Sequence, residues 1–179
     1  MKTMDNQQER FETRMAWLTG IIEGEGWVSL GKAYSHQKNK TKTIYYKPQI
    51  GVVNCDMVIM DEVMELFSTM GLRFRKQIRE SKIWSDGILR KSRCEISISS
   101  VKDIMNLSKR ILPYMIGDKK RRLLRIIDFI ELRKLKGKGS KGKYGDAEEL
   151  MYKELYSFKG KSRSKILNDY TPNTPCVKI

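Results

Sequence analysis

Residues 18–26 read LTGIIEGEG, with Phe11, Met15 and Trp17 ahead of them and WVSL behind. Phe11, Met15, Leu18 and Ile22 recur at threes and fours, the spacing that lines one face of a helix, and predict a helix over residues 11–24. Ala16, Gly20 and Gly24 lie four apart beside that apolar face. On a helix they form a bare stripe that another backbone can approach closely, either within the chain or from a second copy. Gly24 and Gly26 allow a turn that holds Glu25 at a fixed point beyond the contact. Two such helices side by side would bring two Glu25 carboxylates together. Like charges at short range are unfavourable unless a proton or cation neutralises them, and hard oxygen donors suit magnesium. A metal held between carboxylates supplies phosphodiester chemistry.

Outward from this stretch, the chain alternates element types. Trp27 to about Tyr34 and Thr43 to Val53 are rich in aromatic and β-branched residues and predict a hairpin, with Pro48 interrupting its second strand. Asp56 is placed to cap a helix carrying Met57, Met60, Val63, Met64 and Phe67, which ends at Gly71. The methionines read as core filler. LRFRKQIRES and LRKSRCEISISS predict two further strands around a turn at Asp86-Gly87. In the second, Cys94, Ile96 and Ile98 alternate with Glu95, Ser97 and Ser99. Ser100 and Asp103 form a capping pair for a helix with Ile104, Leu107 and Ile111 that stops at Pro113. Residues 118–135 suit one more helix, ended by Gly137. The order predicts an α+β fold with a four-stranded antiparallel sheet. KGKGSKGKYGD, at 136–146, reads as a flexible linker, and AEELMYKELYSF as a short C-terminal helix.

The chain has 179 residues, 40% of them apolar, enough for one domain with a real core. Its net charge of +15 points to an anionic polymer, nucleic acid first. The N-terminus lacks the apolar segment of a signal peptide and no run reaches the length of a membrane span, so an intracellular, soluble protein is expected, with no membrane partner and the compartment open. Cys55, Cys94 and Cys176 are odd in number and far apart, which argues against a disulfide framework or a zinc knuckle.

Leu18 to Gly26 resembles the nine-residue signature of the LAGLIDADG homing endonucleases, with LTGIIEGEG in its place. The likeness runs through the order of elements and a later LPYMIGDKK to about residue 135. It implies an αββαββα saddle over residues 1–135 whose sheet lies in the DNA major groove, with residues 136–179 a basic linker and C-terminal extension. A single signature implies a homodimer on a near-palindromic site, with Ala16, Gly20 and Gly24 at a two-fold interface. By position Glu25 matches the family's catalytic acid and would ligate Mg2+ with its symmetry mate, the carbonyl of Gly24 assisting. Glu23 matches the other acidic position and would orient the helix end. Lys119, or Lys120 one residue on, matches a lysine near the reacting phosphate. Asn54, in VNCD, matches a polar residue that positions water or else shapes the turn. The reaction implied is metal-dependent cleavage of both DNA strands, leaving short 3′ overhangs.

Double-stranded DNA contacts are expected from outward strand residues, with Ser29, Lys32, Tyr34, Lys42, Tyr46, Arg73, Arg75, Lys82, Arg90 and Arg93 the candidates. Lys136, Lys138, Lys141 and Lys143 read as a phosphate-binding strap or a solubilising tail. His36 is the sole histidine, which leaves HNH and His-Cys chemistries without their ligands. ESK at 80–82 has the spacing of a PD-(D/E)xK end motif without its upstream acid. Two rivals keep the same fold with a different role, an intron RNA maturase and a DNA-binding regulator that does not cut.

Overall fold

A computed structural model describes residues 2–35, 43–83, 87–137 and 144–157. Its elements run α1 (Lys2–Glu25), β1 (Gly26–Ser35), β2 (Thr43–Asn54), α2 (Met57–Thr69), β3 (Arg75–Arg79), β4 (Lys82–Ile83), β5 (Leu89–Arg90), β6 (Arg93–Ile98), α3 (Val101–Ile111), α4 (Asp118–Lys136) and α5 (Asp146–Ser157). Four strands form one antiparallel sheet, as the sequence predicts, and lie in the order β1-β2-β6-β3. β4 and β5 pair separately as a short ribbon within what reads in sequence as two long strands.

Caps set the helix limits. Asp56 Oδ1 accepts hydrogen bonds from the amides of Val58 (2.8 Å) and Ile59 (3.4 Å), and Ser100 Oγ accepts from Asp103 N. Gly71 and Gly137 follow α2 and α4 with φ of 66° and 70°, left-handed values that favour glycine. Two expectations need correction. α1 begins at Lys2, not near Phe11, and β2 runs unbroken through Pro48. Pro48 lies opposite Leu30 of β1, and β2 gains its second neighbour, β6, only from Ile50 onward. The missing N–H therefore costs no ladder bond on that side.

One face of the sheet is covered. Val28, Leu30, Ile50, Val52, Cys94, Ile96 and Ile98 alternate along their strands and pack with Met15, Leu18, Ile22, Met60, Phe67, Leu107 and Ile126 of the helices. Met60 is core, as predicted, and Met64 packs against it, but Met57 is exposed in the first turn of α2. Cys55 is exposed and Cys94 buried, both as free thiols. Among the described residues no helix is long and apolar enough to cross a membrane.

α5, within the stretch expected to be linker and extension, docks on α4 and β1 and contributes Leu155 to the core. Glu148 is fully buried there. Its carboxylate accepts from Arg133 Nη1 (3.0 Å), Lys136 Nζ (2.8 Å) and Gly145 N (3.0 Å). Burial works against this charge, but the hydrogen bonds outweigh it and hold the carboxyl at about 2. A carboxylate depressed in the folded state stabilises the fold above its unfolded value, and that contribution is lost as pH falls toward about 2. Glu148→Gln should therefore cost on the order of 1–3 kcal/mol near neutral pH, with a smaller penalty as pH falls below the ordinary glutamate range. Thermal melts of the two proteins from pH 7 downward, converging in acid, would bear this out; parallel curves would not.

Candidate active site and nucleic-acid interface

The junction of α1 with β1 is fixed by a close approach. A Cβ added to Gly26 would lie 2.6 Å from the carbonyl oxygen of Ile22 and 2.7 Å from that of Gly51, so only glycine lets the chain turn from helix to strand here. The residue before it, Glu25, is exposed, and its carboxylate makes no hydrogen bond or ion pair among the described residues.

Around this carboxylate, α1 and α4 cap one another. The last carbonyls of a helix lack intrahelical partners and carry its negative end. Lys119 Nζ, from the first turn of α4, donates to the carbonyl oxygens of Ile22 (2.9 Å), Glu23 (2.6 Å) and Gly24 (3.5 Å). In return Glu23 Oε1 accepts from Gly117 N (3.3 Å) at the start of α4, where no side chain caps the helix from within it. A Cβ on Gly117 would stand 2.8 Å from Glu23 Oε2 and push that carboxylate away. Burial lowers the Lys119 pKa below the usual lysine range; Arg122 adds to the lowering, while Glu23 and Glu25 oppose it. It is thus Lys119, not Lys120, that meets the signature segment. Asn54 closes the same end of the sheet. Its Oδ1 accepts from Asp56 N at 2.9 Å, shaping the turn, and its amide nitrogen donates to nothing among the described residues.

The oxygens presented here, the Glu25 carboxylate and the Gly24 carbonyl, are hard donors of the kind magnesium takes. Among the described residues no group of three or more His, Cys, Asp or Glu side chains forms a metal cage. Of the two carboxylates at the junction, Glu23 is engaged by the amide of Gly117, which leaves Glu25 as the one open to a cation. Ala16, Gly20 and Gly24 are exposed along α1, with Trp17 beside them, and nothing lies within 4 Å of a Cβ added at either glycine. No contact within the described chain accounts for these glycines.

The other face of the sheet carries no helix. It shows Trp27, Ser29, Lys47, Gln49, Arg75, Gln77, Arg79, Arg93, Glu95 and Ser97, whose positions alternate with the core residues and pair across the strands, as Ser29 with Gln49, Arg75 with Ser97 and Arg79 with Arg93. Trp27 lies over Gly51, where a Cβ would fall 2.3 Å from its ring. The acid of this face, Glu95, is paired with Arg79 (3.2 Å). Of the candidates named from sequence, Ser29, Arg75 and Arg93 thus lie on the open face. Lys47, Gln49, Gln77 and Arg79 share it but escaped the sequence reading, although the parity set by Val28, Leu30, Ile96 and Ile98 gives their side.

That parity also corrects several expectations. Lys32, Tyr34 and Tyr46 fall in step with the core residues and so face the helices. Tyr46 is buried and its hydroxyl donates to Glu149 of α5, which with burial pushes its pKa up; Lys32 Nζ donates to the same carboxylate at 2.7 Å. Arg73 precedes β3 and is tied to Asp103 (3.3 Å) and Ser100 Oγ (3.3 Å) at the start of α3. Lys136 is engaged by Glu148 and is not part of a free strap. Lys82 and Arg90 are exposed opposite one another on the β4–β5 ribbon. Lys42, Lys138, Lys141 and Lys143 lie outside the described residues.

This architecture, an antiparallel saddle with helices on one face and an acidic helix–strand turn at its edge, is the fold of the LAGLIDADG homing endonucleases. The chain resembles the homing endonuclease I-CvuI, solved in complex with a DNA target in the presence of magnesium, at a TM-score of 0.58 and 16% identity over 86% of this chain and 87% of that one. It resembles the archaeal intron-encoded homing endonuclease I-Vdi141I, complexed with DNA, at 0.53 and 14% identity over 84% and 86%. The LAGLIDADG meganuclease I-AabMI, bound to uncleaved DNA, matches at 0.53 and 14% identity over 82% of this chain but 46% of its own. No protein-family model matches the sequence, and no curated protein does.

Proposed function

We propose that this chain is a site-specific double-strand DNA endonuclease, a homing endonuclease that works as a homodimer on a near-palindromic site and leaves short 3′ overhangs. The observation that carries the proposal is Glu25: a carboxylate with no hydrogen bond or ion pair among the described residues, on a turn that Gly26 and Lys119 hold in place, beside a helix stripe that nothing in the described chain covers. Two chains packed through Ala16, Gly20 and Gly24 would set two such carboxylates side by side. The match to nearly all of I-CvuI, but to under half of I-AabMI, supports a unit that needs a second copy.

The residues divide the work. Glu25 and the Gly24 carbonyl would hold Mg2+, which when bound makes water a nucleophile near neutral pH and neutralises charge developing on the phosphate. Lys119 is a positioning residue: through the carbonyls of Ile22, Glu23 and Gly24 it fixes where the Glu25 backbone stands, and it brings positive charge close to the reacting phosphate. Asn54, its Oδ1 held by the turn, offers its amide nitrogen toward active-site water. Ser29, Arg75 and Arg93, with Lys47, Gln49, Gln77 and Arg79, would meet base edges and phosphates in the major groove. Lys138 and Lys141 would add phosphate contacts from the segment after α4.

The test is cleavage selection. The full protein is incubated with a plasmid library carrying a randomised insert, with magnesium or with chelator, and the cut ends are sequenced. One family of near-palindromic sites, cut on both strands only with magnesium, is expected. Selective binding without cutting would make the protein a regulator, and selective retention of intron RNA without duplex binding would make it a maturase.

A further inference from the structure

The β4–β5 ribbon carries an apolar pair that the DNA-binding reading does not use. Ile83 and Leu89 stand opposite one another across it and are 64% and 63% exposed. Side by side across the ribbon, the two aliphatic side chains form one apolar contact surface in water. Their surroundings are cationic. Arg79, Lys82, Arg90, Lys91 and Arg93 line a groove with Ile83, against one acid, Glu80.

The register says which way the pair faces. Arg79 lies opposite Arg93, and beyond a break of two residues on each strand Lys82 lies opposite Arg90 and Ile83 opposite Leu89. The same number of residues intervenes on each strand, so the pairing resumes without a register slip. Ile83 and Leu89 then fall in step with Arg75, Gln77, Arg79, Arg93 and Ser97 of the open face. Lys82 and Arg90, one position out of step, flank them and line the same groove as Ile83, Arg79 and Arg93. The ribbon therefore continues the basic face outward and ends it in an apolar contact.

We infer that Ile83 and Leu89 read thymine, by packing on its C5-methyl group at one or two adjacent base pairs of each half-site. The inference rests on the DNA-binding reading above. The major groove admits a two-stranded ribbon, and among the base edges displayed there the thymine methyl is the apolar one. Neighbouring cations bring the phosphates to the ribbon's flanks, and an aliphatic pair has no hydrogen bond to offer a guanine or cytosine edge. An acidic protein surface would satisfy the cations but leave the paired aliphatics without a specific partner.

The methyl itself can be removed. The full protein selects duplexes from a randomised pool, and each thymine of a tightly bound duplex is then replaced in turn by deoxyuridine, which pairs identically but lacks the methyl. For the wild type, replacement at the contacted positions should weaken binding by about fourfold per methyl lost, while other positions stay neutral. The double variant Ile83→Ala, Leu89→Ala, truncated on an exposed surface and checked for an unchanged melting temperature, should bind both duplexes alike. Indifference of the wild type to every replacement, or an equal loss in the double variant, would overturn the inference. Selective binding with methyl indifference leaves the endonuclease reading standing, whereas failure to select any duplex removes both.

Discussion

Glu25→Gln should leave a folded dimer that still binds its site but cuts it on the order of a thousandfold more slowly. Each ~1.4 kcal/mol of lost transition-state stabilisation is a factor of ten, and losing the charge that holds the cation costs several kcal/mol. The side chain is exposed and makes no hydrogen bond in the described chain, so the isosteric amide disturbs no packing. Melting temperature, sedimentation and DNA affinity should therefore match the wild type. The measurement is single-turnover cleavage across a magnesium series. Cutting at the wild-type rate would remove Glu25 from the chemistry, and equal loss of binding and cutting would make it a structural residue.

Gly20→Leu should separate assembly from folding. Nothing lies within 4 Å of a Cβ at this position, and exchanging glycine for leucine inside a helix gains up to about 0.8 kcal/mol of helix propensity. The isolated chain should thus fold intact by circular dichroism, and its melting temperature, unlike that of a dimer, should not depend on protein concentration. Across a two-fold, though, each leucine would meet its own mate where backbones are expected to touch, at a cost that overpacked contacts rarely absorb. Sedimentation should show a monomer, and cleavage should be undetectable. A variant that remains a dimer would place the interface elsewhere.

Local structure was legible because its causes are local. Asp56, Gly71, Ser100 and Gly137 act on amides and carbonyls a few residues away, and the stripe of Met15, Leu18 and Ile22 repeats within two turns. The mutual capping of α1 and α4 has no such signature: Glu23 and Gly117 are separated by 94 residues, and Lys119 meets Glu23 across 96. The DNA face was legible in part. Choosing candidates by residue type took Lys32, Tyr34 and Tyr46, whereas the strand period, already visible in Val28 and Leu30, assigns all three to the helices. The docking of α5 was hidden for another reason. The lysine-glycine segment before it reads as linker, while the contacts that bind it, Arg133 and Lys136 to Glu148 and Lys32 to Glu149, pair charges that look solvated one at a time.

Trp27 and Trp17 stand at two different places in this arrangement: one lies over Gly51 on the open sheet face, just past Glu25, and the other flanks the bare stripe of α1. The indole ring reports the polarity of its surroundings through the wavelength and intensity of its emission. Once Trp84 is exchanged for phenylalanine, the chain accordingly carries its own pair of optical probes. With Trp27 also replaced, emission from α1 would report the proposed meeting of two chains; with Trp17 replaced instead, emission near the acidic turn would report the proposed arrival of a duplex. Assembly and recognition can then be timed separately in one cuvette, without a label.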